Sequence, residues 1–147
     1  MTINSFKDEY FFLSNFYDST VTYNGLTYQN REAAFQAQKC QFLHERIPFT
    51  KMNPSEAKKA GRKVVLRKDW ETVKINIMAQ IVKAKFEQNE ELAIKLLNTG
   101  DAYLEEGNNW GDHIWGTVNG QGANYLGYIL MGVRDHLKQK IKSGGCE

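Results

Sequence analysis

The sequence predicts a single α+β domain, mainly helical with small β elements, in which helices pack around one long central helix and a β-hairpin stands near the N-terminus. Three observations carry this. Aromatic and β-branched residues cluster in the first 30 positions around Asn24-Gly25. Apolar residues recur at helical spacing through 70–84 and again through 126–137. A chain of 147 residues is also long enough for one well-buried core. The expected organisation is a domain over 1–142 followed by a short flexible tail over 143–147, where an SGG run follows the last helical pattern.

The elements follow in order. In STVTYNGLTY, Val21 and Tyr23 are expected to pair across a tight turn with Leu26 and Tyr28, because Asn-Gly between alternating apolar residues is the strongest short-range hairpin signal. Asn30 can then cap a helix with the body REAAFQAQKCQFL, which would place Glu32 and Lys39, seven residues apart, on nearly the same face. Pro54-Ser55 starts a short helix that Gly61 ends, and a short extended piece, KVVLR, follows. Asp69 is expected to cap the long helix, whose inward face is Trp70, Val73, Ile77, Ile81 and Ala84. Residues 90–98 read as a further helix. Residues 124–141 read as the last, with Leu126, Ile129, Leu130, Val133 and Leu137 inward.

Composition excludes several classes. The formal charge is only +2 and the cations are scattered, unlike the basic stripe of a sequence-reading DNA binder. Cys40 and Cys146 match no zinc or redox spacing, and with His44, His113 and His136 they give no ligand set, so no metal and no cofactor are expected. No stretch approaches the roughly 20 apolar residues of a membrane span, and no leader pattern opens the chain. A cytoplasmic protein with free thiols and no obligate protein partner is the expectation. The absence of a Gly-x-Ser-x-Gly elbow disfavours a serine hydrolase.

Chemistry-bearing residues concentrate in three places. On the first helix, Glu32 and Lys39 suit a carboxylate that moves protons beside an amine that attacks a sugar carbon; the same charges equally suit a helix face in water. In the loop of residues 99–124, Asp101, Glu105, Glu106 and Asp112 offer carboxylates able to stabilise a cationic sugar or activate water, or else turn and cap chemistry. Trp110 and Trp115 there can stack on a flat base, whereas Trp70 belongs to the core. GQGAN places Gly120, Gly122 and Asn124 before a helix, where free N–H groups favour phosphate, and Arg46, Arg62 and Arg67 are further phosphate candidates.

These segments resemble the YbiA-like family of N-glycosidases, also called the NADAR superfamily. The resemblance runs through FFLSNFY (11–17), GLTYQNREAAFQAQK (25–39), PSEAKKAGRKVVLRKDWETVKINIM (54–78), KFEQNEELAIKLLNTGDAYLEE (85–106), WGDHIWG (110–116) and GANYLGYILMGVR (122–134). It implies a mainly helical fold with small β elements and hydrolysis of an N-glycosidic bond, in phosphorylated riboflavin-pathway intermediates or in ADP-ribosylated guanine within nucleic acid. Glu32 and Lys39 are then expected at the reaction centre with Asn15 of LSNF facing it. Asp101, Glu106, Asp112, Trp115, Gly122 and Asn124 match polar and aromatic positions of the later motifs. Where the family often carries a His directly after the motif Glu, this chain has Ala33. Lys39, Glu32 and Asp112 are expected to be catalytic. Asn15, Asp101, Glu106, Trp110, Trp115, Gly122, Asn124 and Arg67 are expected to bind substrate. A module that senses ADP-ribose without turning it over is the alternative.

Overall fold

The computed structural model describes residues 1–144, and the chain gathers into two compact units, Asn15–Gln88 and the pair of segments Met1–Ser14 and Asn89–Glu147. Among the described residues the regular structure is mostly helical, with four short strands.

In the Asn15–Gln88 unit, strands β2 (Asp18–Tyr23) and β3 (Leu26–Asn30) form the hairpin with Val21 opposite Tyr28 and Tyr23 opposite Leu26. Asn24 and Gly25 both take positive φ, 49° and 83°, as the twist-matched two-residue turn requires. Asn30 ends the hairpin and starts helix α1 (Arg31–Ala37), its Oδ1 accepting the Ala33 N–H at 2.7 Å. Every residue of α1 is buried, because β2, β3, helix α3 (Pro54–Gly61) and helix α4 (Trp70–Glu87) all pack on it. Between α1 and α3 lie the single turn α2 (Leu43–Arg46) and a 3-10 segment, Ile47–Lys51. A reciprocal capping box sets the start of α3: Asn53 Oδ1 accepts from Glu56 N and Glu56 Oε1 accepts from Asn53 N.

Three expectations need correction here. Helix α1 stops at Ala37 rather than running to 43, so Lys39 sits in the turn beyond it. The carbonyls that would have continued the helix have tertiary donors: the Gln38 and Lys39 oxygens accept from Arg67 and the Cys40 oxygen accepts from the Arg46 guanidinium. The segment KVVLR pairs with no strand, and Val65 stands 83% exposed. Asp69 occupies the N-cap position of α4 without capping it, because its carboxylate is taken by Arg67 at 2.6 and 3.2 Å. On α4 the inward face holds Trp70, Ile77 and Ile81 as expected, joined by Met78, Val82, Lys85 and Phe86.

In the other unit, strand β1 (Thr2–Ile3) pairs in parallel with β4 (Tyr103–Leu104), a contact too short to announce itself by alternation. A 3-10 segment, Asp8–Leu13, follows β1. Helix α5 (Glu90–Leu97) is capped by Asn89, and helix α6 (Tyr125–Gly144) buries Leu126, Leu130, Val133 and Leu137. Helix α6 continues through positions 143 and 144, which were expected in the tail; residues 145–147, Cys146 among them, lie outside the described residues.

Candidate active site

Helix α1 is an unusual place for Glu32. Its side chain has been carried into the interior by a helix with no solvent face, and the residue is only 7% exposed. Burial pushes its carboxyl above the ordinary glutamate range; a hydrogen bond from Gln36 and the charges of Lys58, Lys39 and Arg31 pull the other way without overcoming it. Just beyond the end of α1, half-buried Lys39 is pushed the opposite way. Burial lowers its ammonium below the ordinary lysine range, Glu32 opposes this, and Arg62 and Lys74 add to it by like-charge repulsion. Each of the two acts on the other's charge, although they do not share a helix.

The backbone around the pair is fixed from neighbouring segments. Asn15 is buried, and its carbonyl accepts the Glu32 N–H at 3.2 Å, which joins the LSNF segment to the first turn of α1. Asn15 Nδ2 lies 3.7 Å from the Met78 sulfur, and its Oδ1 is buried without a hydrogen-bond partner. Arg67, expected as a phosphate ligand, instead donates to Asp69 and to the Gln38 carbonyl, and its own N–H holds the Lys39 carbonyl at 2.9 Å. Its visible work is to fix the turn that presents Lys39. Arg46 does the same for the Cys40 carbonyl. Gln36, Lys58 and Lys74 escaped the sequence reading. For Gln36 a signal existed, since it follows Glu32 by four residues and so shares its helix face.

The 105–124 loop belongs to the other unit. Asp112 Oδ1 accepts from the N–H groups of Ile114 and Trp115 at 3.0 and 2.9 Å, while Asn108 exchanges two hydrogen bonds with the Asp112 backbone. The residue therefore winds the WGDHIW turn. Glu105 Oε2 accepts from Thr117 Oγ1 at 2.5 Å. Glu106 is partly buried, and its N–H is held by Asn124 Oδ1 at 3.0 Å. Asp101 is exposed and bridged to Lys138 at 2.9 Å, which holds its carboxyl below the usual range.

The phosphate reading of GQGAN meets a physical obstacle. The N–H groups of Ala123, Asn124, Tyr125 and Leu126 donate to the carbonyls of His113, Gly116, Ile114 and Trp115, so the start of α6 is already occupied by the chain's own loop. Asn124 is buried and also donates to the Leu104 carbonyl, making it a clasp between the loop, β4 and α6. Gly122 lies on the turn just ahead of these amides. Trp110 is 57% exposed, whereas Trp115 is half-buried edge-on to Tyr125. Among the described residues no group of His, Cys, Asp and Glu side chains is placed to hold a metal, and no helix is long and apolar enough to cross a membrane.

Glu32 and Lys39 are thus carried, one buried and one half-buried, on a mainly helical scaffold with short strands. The chain belongs to the NADAR domain family, whose pattern matches residues 3–138. It is 40% identical over 139 residues to the N-glycosidase YbiA of Escherichia coli strain K12, spanning 90% of this chain and 85% of that protein. It is 34% identical over 156 residues to an N-glycosidase of Nostoc punctiforme, spanning 99% of this chain and 98% of that one. A riboflavin biosynthesis protein of Vibrio vulnificus is 37% identical over 134 residues, which are 87% of this chain and 36% of that longer protein. The NMR structure of E. coli YbiA superposes with a TM-score of 0.83 at 37% identity, covering 95% of this chain and 85% of that one.

Proposed function

We propose that this chain is an N-glycosidase that hydrolyses the bond between ribose C1 and nitrogen in a phosphorylated ribosylamine or an ADP-ribosylated guanine base, and that Lys39 and Glu32 carry the reaction. The observation behind this is the opposed perturbation of the pair. Burial shifts the acid up and the amine down, toward the neutral range where each can both give and take a proton. The names of the E. coli and Nostoc relatives support the class of reaction. The name of the Vibrio relative supports a riboflavin-pathway intermediate as one substrate.

In the proposed sequence the ribose ring opens to an imine between C1 and the departing nitrogen. The neutral Lys39 amine adds to C1, two protons pass in turn by way of Glu32 from Nζ to the departing nitrogen, and the C1–N bond breaks to release the amine. This leaves a Schiff base between C1 and Nζ. Water adds to C1, its two protons pass in turn by way of Glu32 to Nζ, and the C1–Nζ bond breaks to give the free sugar and regenerate Lys39. The overall reaction consumes one water and no oxidant. Asn15, whose unpartnered Oδ1 is an acceptor, is assigned to a substrate hydroxyl. Arg62, Lys58 and Lys74, which all act on the Glu32–Lys39 pair, supply a positive setting for an anionic substrate. The cytoplasm, where buried Cys40 stays a thiol, is the proposed setting, with no cofactor or partner protein required.

The test is product release, followed by mass spectrometry, from a ribosylamine phosphate of the riboflavin pathway and from an ADP-ribosylated guanine oligonucleotide. Release from at least one, abolished by Lys39→Ala, is expected. Tight binding of either without release would replace the enzyme by a sensor of ADP-ribose.

A further inference from the structure

We propose that Gln36 is a positioning residue for Glu32, with the side-chain amide of Gln36 holding the carboxyl and bare Gly61 leaving the space that holds the amide. The proposal rests on the reading of Glu32 as the group that moves protons.

Glu32 and Gln36 lie one turn apart on α1, and Gln36 Nε2 donates to Glu32 Oε2 at 3.3 Å. Each residue is only 7% exposed. The other end of the amide, Oε1, is buried with no hydrogen-bond partner. A buried carbonyl without a donor is costly, and a leucine would fill the same space without that cost. The amide is therefore explained by what it does for Glu32. The bond from Nε2 favours the ionised carboxylate over the protonated acid.

Gly61 fixes where the amide can be. Helix α3 packs on α1, and a Cβ built at Gly61 would stand 1.9 Å from Gln36 Oε1, 2.7 Å from its Cδ and 3.2 Å from its Cβ. Any side chain at position 61 must displace the amide. The two residues thus form one device, and it can be disturbed from either end.

The direct readout is the titration of the Glu32 carboxyl in free protein labelled with 13C at glutamate side chains, assigned by loss of its signal in Glu32→Gln. In Gln36→Leu the midpoint is expected to rise by about one pH unit, the size of a lost hydrogen bond to a charged group. The ascending limb of the pH–rate profile should move with it. Gly61→Ala keeps Gln36 but pushes it aside and should shift the midpoint in the same direction, which covers the case in which Gln36→Leu fails to fold. A midpoint unchanged in a folded variant, with Glu32→Gln inactive, would overturn the positioning role and leave the function reading intact. A midpoint that moves while Glu32→Gln keeps full activity would remove the task of Glu32, and the proposal with it.

Discussion

Helix α1 and the 105–124 loop carry similar side chains, carboxylates and amides among small and aromatic residues, yet the structure uses them in different ways. On α1 the carboxyl of Glu32 is enclosed by packing helices, its main hydrogen bond comes from one side chain, and its proton affinity rises. In the loop, Asp112 accepts two backbone N–H groups and Glu105 accepts a threonine hydroxyl, so both are absorbed in shaping the chain. The difference lies in what surrounds each acid. A carboxylate given backbone donors stabilises a turn, whereas one enclosed among packed helices holds its proton to higher pH than a free carboxyl.

The sharpest way to break this comparison is to remove the two kinds of acid in turn. Glu32→Gln is expected to lower the turnover rate by about 10²- to 10⁴-fold, the usual worth of a proton-transferring group, while making the fold more stable. The direction follows from linkage. Glu32 binds its proton more tightly folded than unfolded, so wild-type stability falls as pH rises from the ordinary glutamate value of 4.5 through the raised folded value. The glutamine variant escapes that loss. Thermal melts from pH 4 to 8 should show its advantage opening above about pH 4.5 and then levelling off, and a variant less stable than wild type at pH 7 would contradict the burial argument.

Asp112 sharpens the other side. Asp112→Ala leaves the Ile114 and Trp115 amides without their acceptor and should cost about 1 kcal/mol, as lost caps do. Asp112→Asn, which keeps an oxygen acceptor, should retain most of that stability. Activity in the asparagine variant separates the remaining roles: near wild-type turnover means that Asp112 shapes the loop, and a loss of about 10²-fold or more with the melt unchanged means that its charge takes part in the reaction.

The smallest effect is expected at Asp101. Its carboxylate is fully exposed and its bridge to Lys138 is screened by water. Asp101→Asn should leave the melting temperature unchanged within error, and a marked loss of substrate affinity would place Asp101 in the binding site after all.

What could be read from the sequence divides along the same line. The hairpin register was legible to the residue, because Asn24-Gly25 and the alternation of Val21, Tyr23, Leu26 and Tyr28 are local signals. The starts of α1 and α6 were legible for the same reason, whereas the expected sharing of one helix by Glu32 and Lys39 fails because α1 ends at Ala37. What stayed hidden was set by distant partners. The end of α1 at Ala37 depends on Arg67 and Arg46 claiming the next carbonyls. The use of the α6 amides depends on the carbonyls of His113 through Gly116. The complete burial of Arg31 and Lys85, charged residues that composition places at the surface, depends on the packing around them.

The central claim is that Lys39 acts as an amine at the sugar carbon, and borohydride trapping during turnover tests it most directly. With a ribosylamine phosphate present, intact-mass and peptide analysis should find one reduced sugar-phosphate adduct per chain, located on Lys39 and missing when substrate is left out. Full turnover with no adduct, or an adduct that persists in Lys39→Ala, would contradict the claim and leave Lys39 as one more cation near the site.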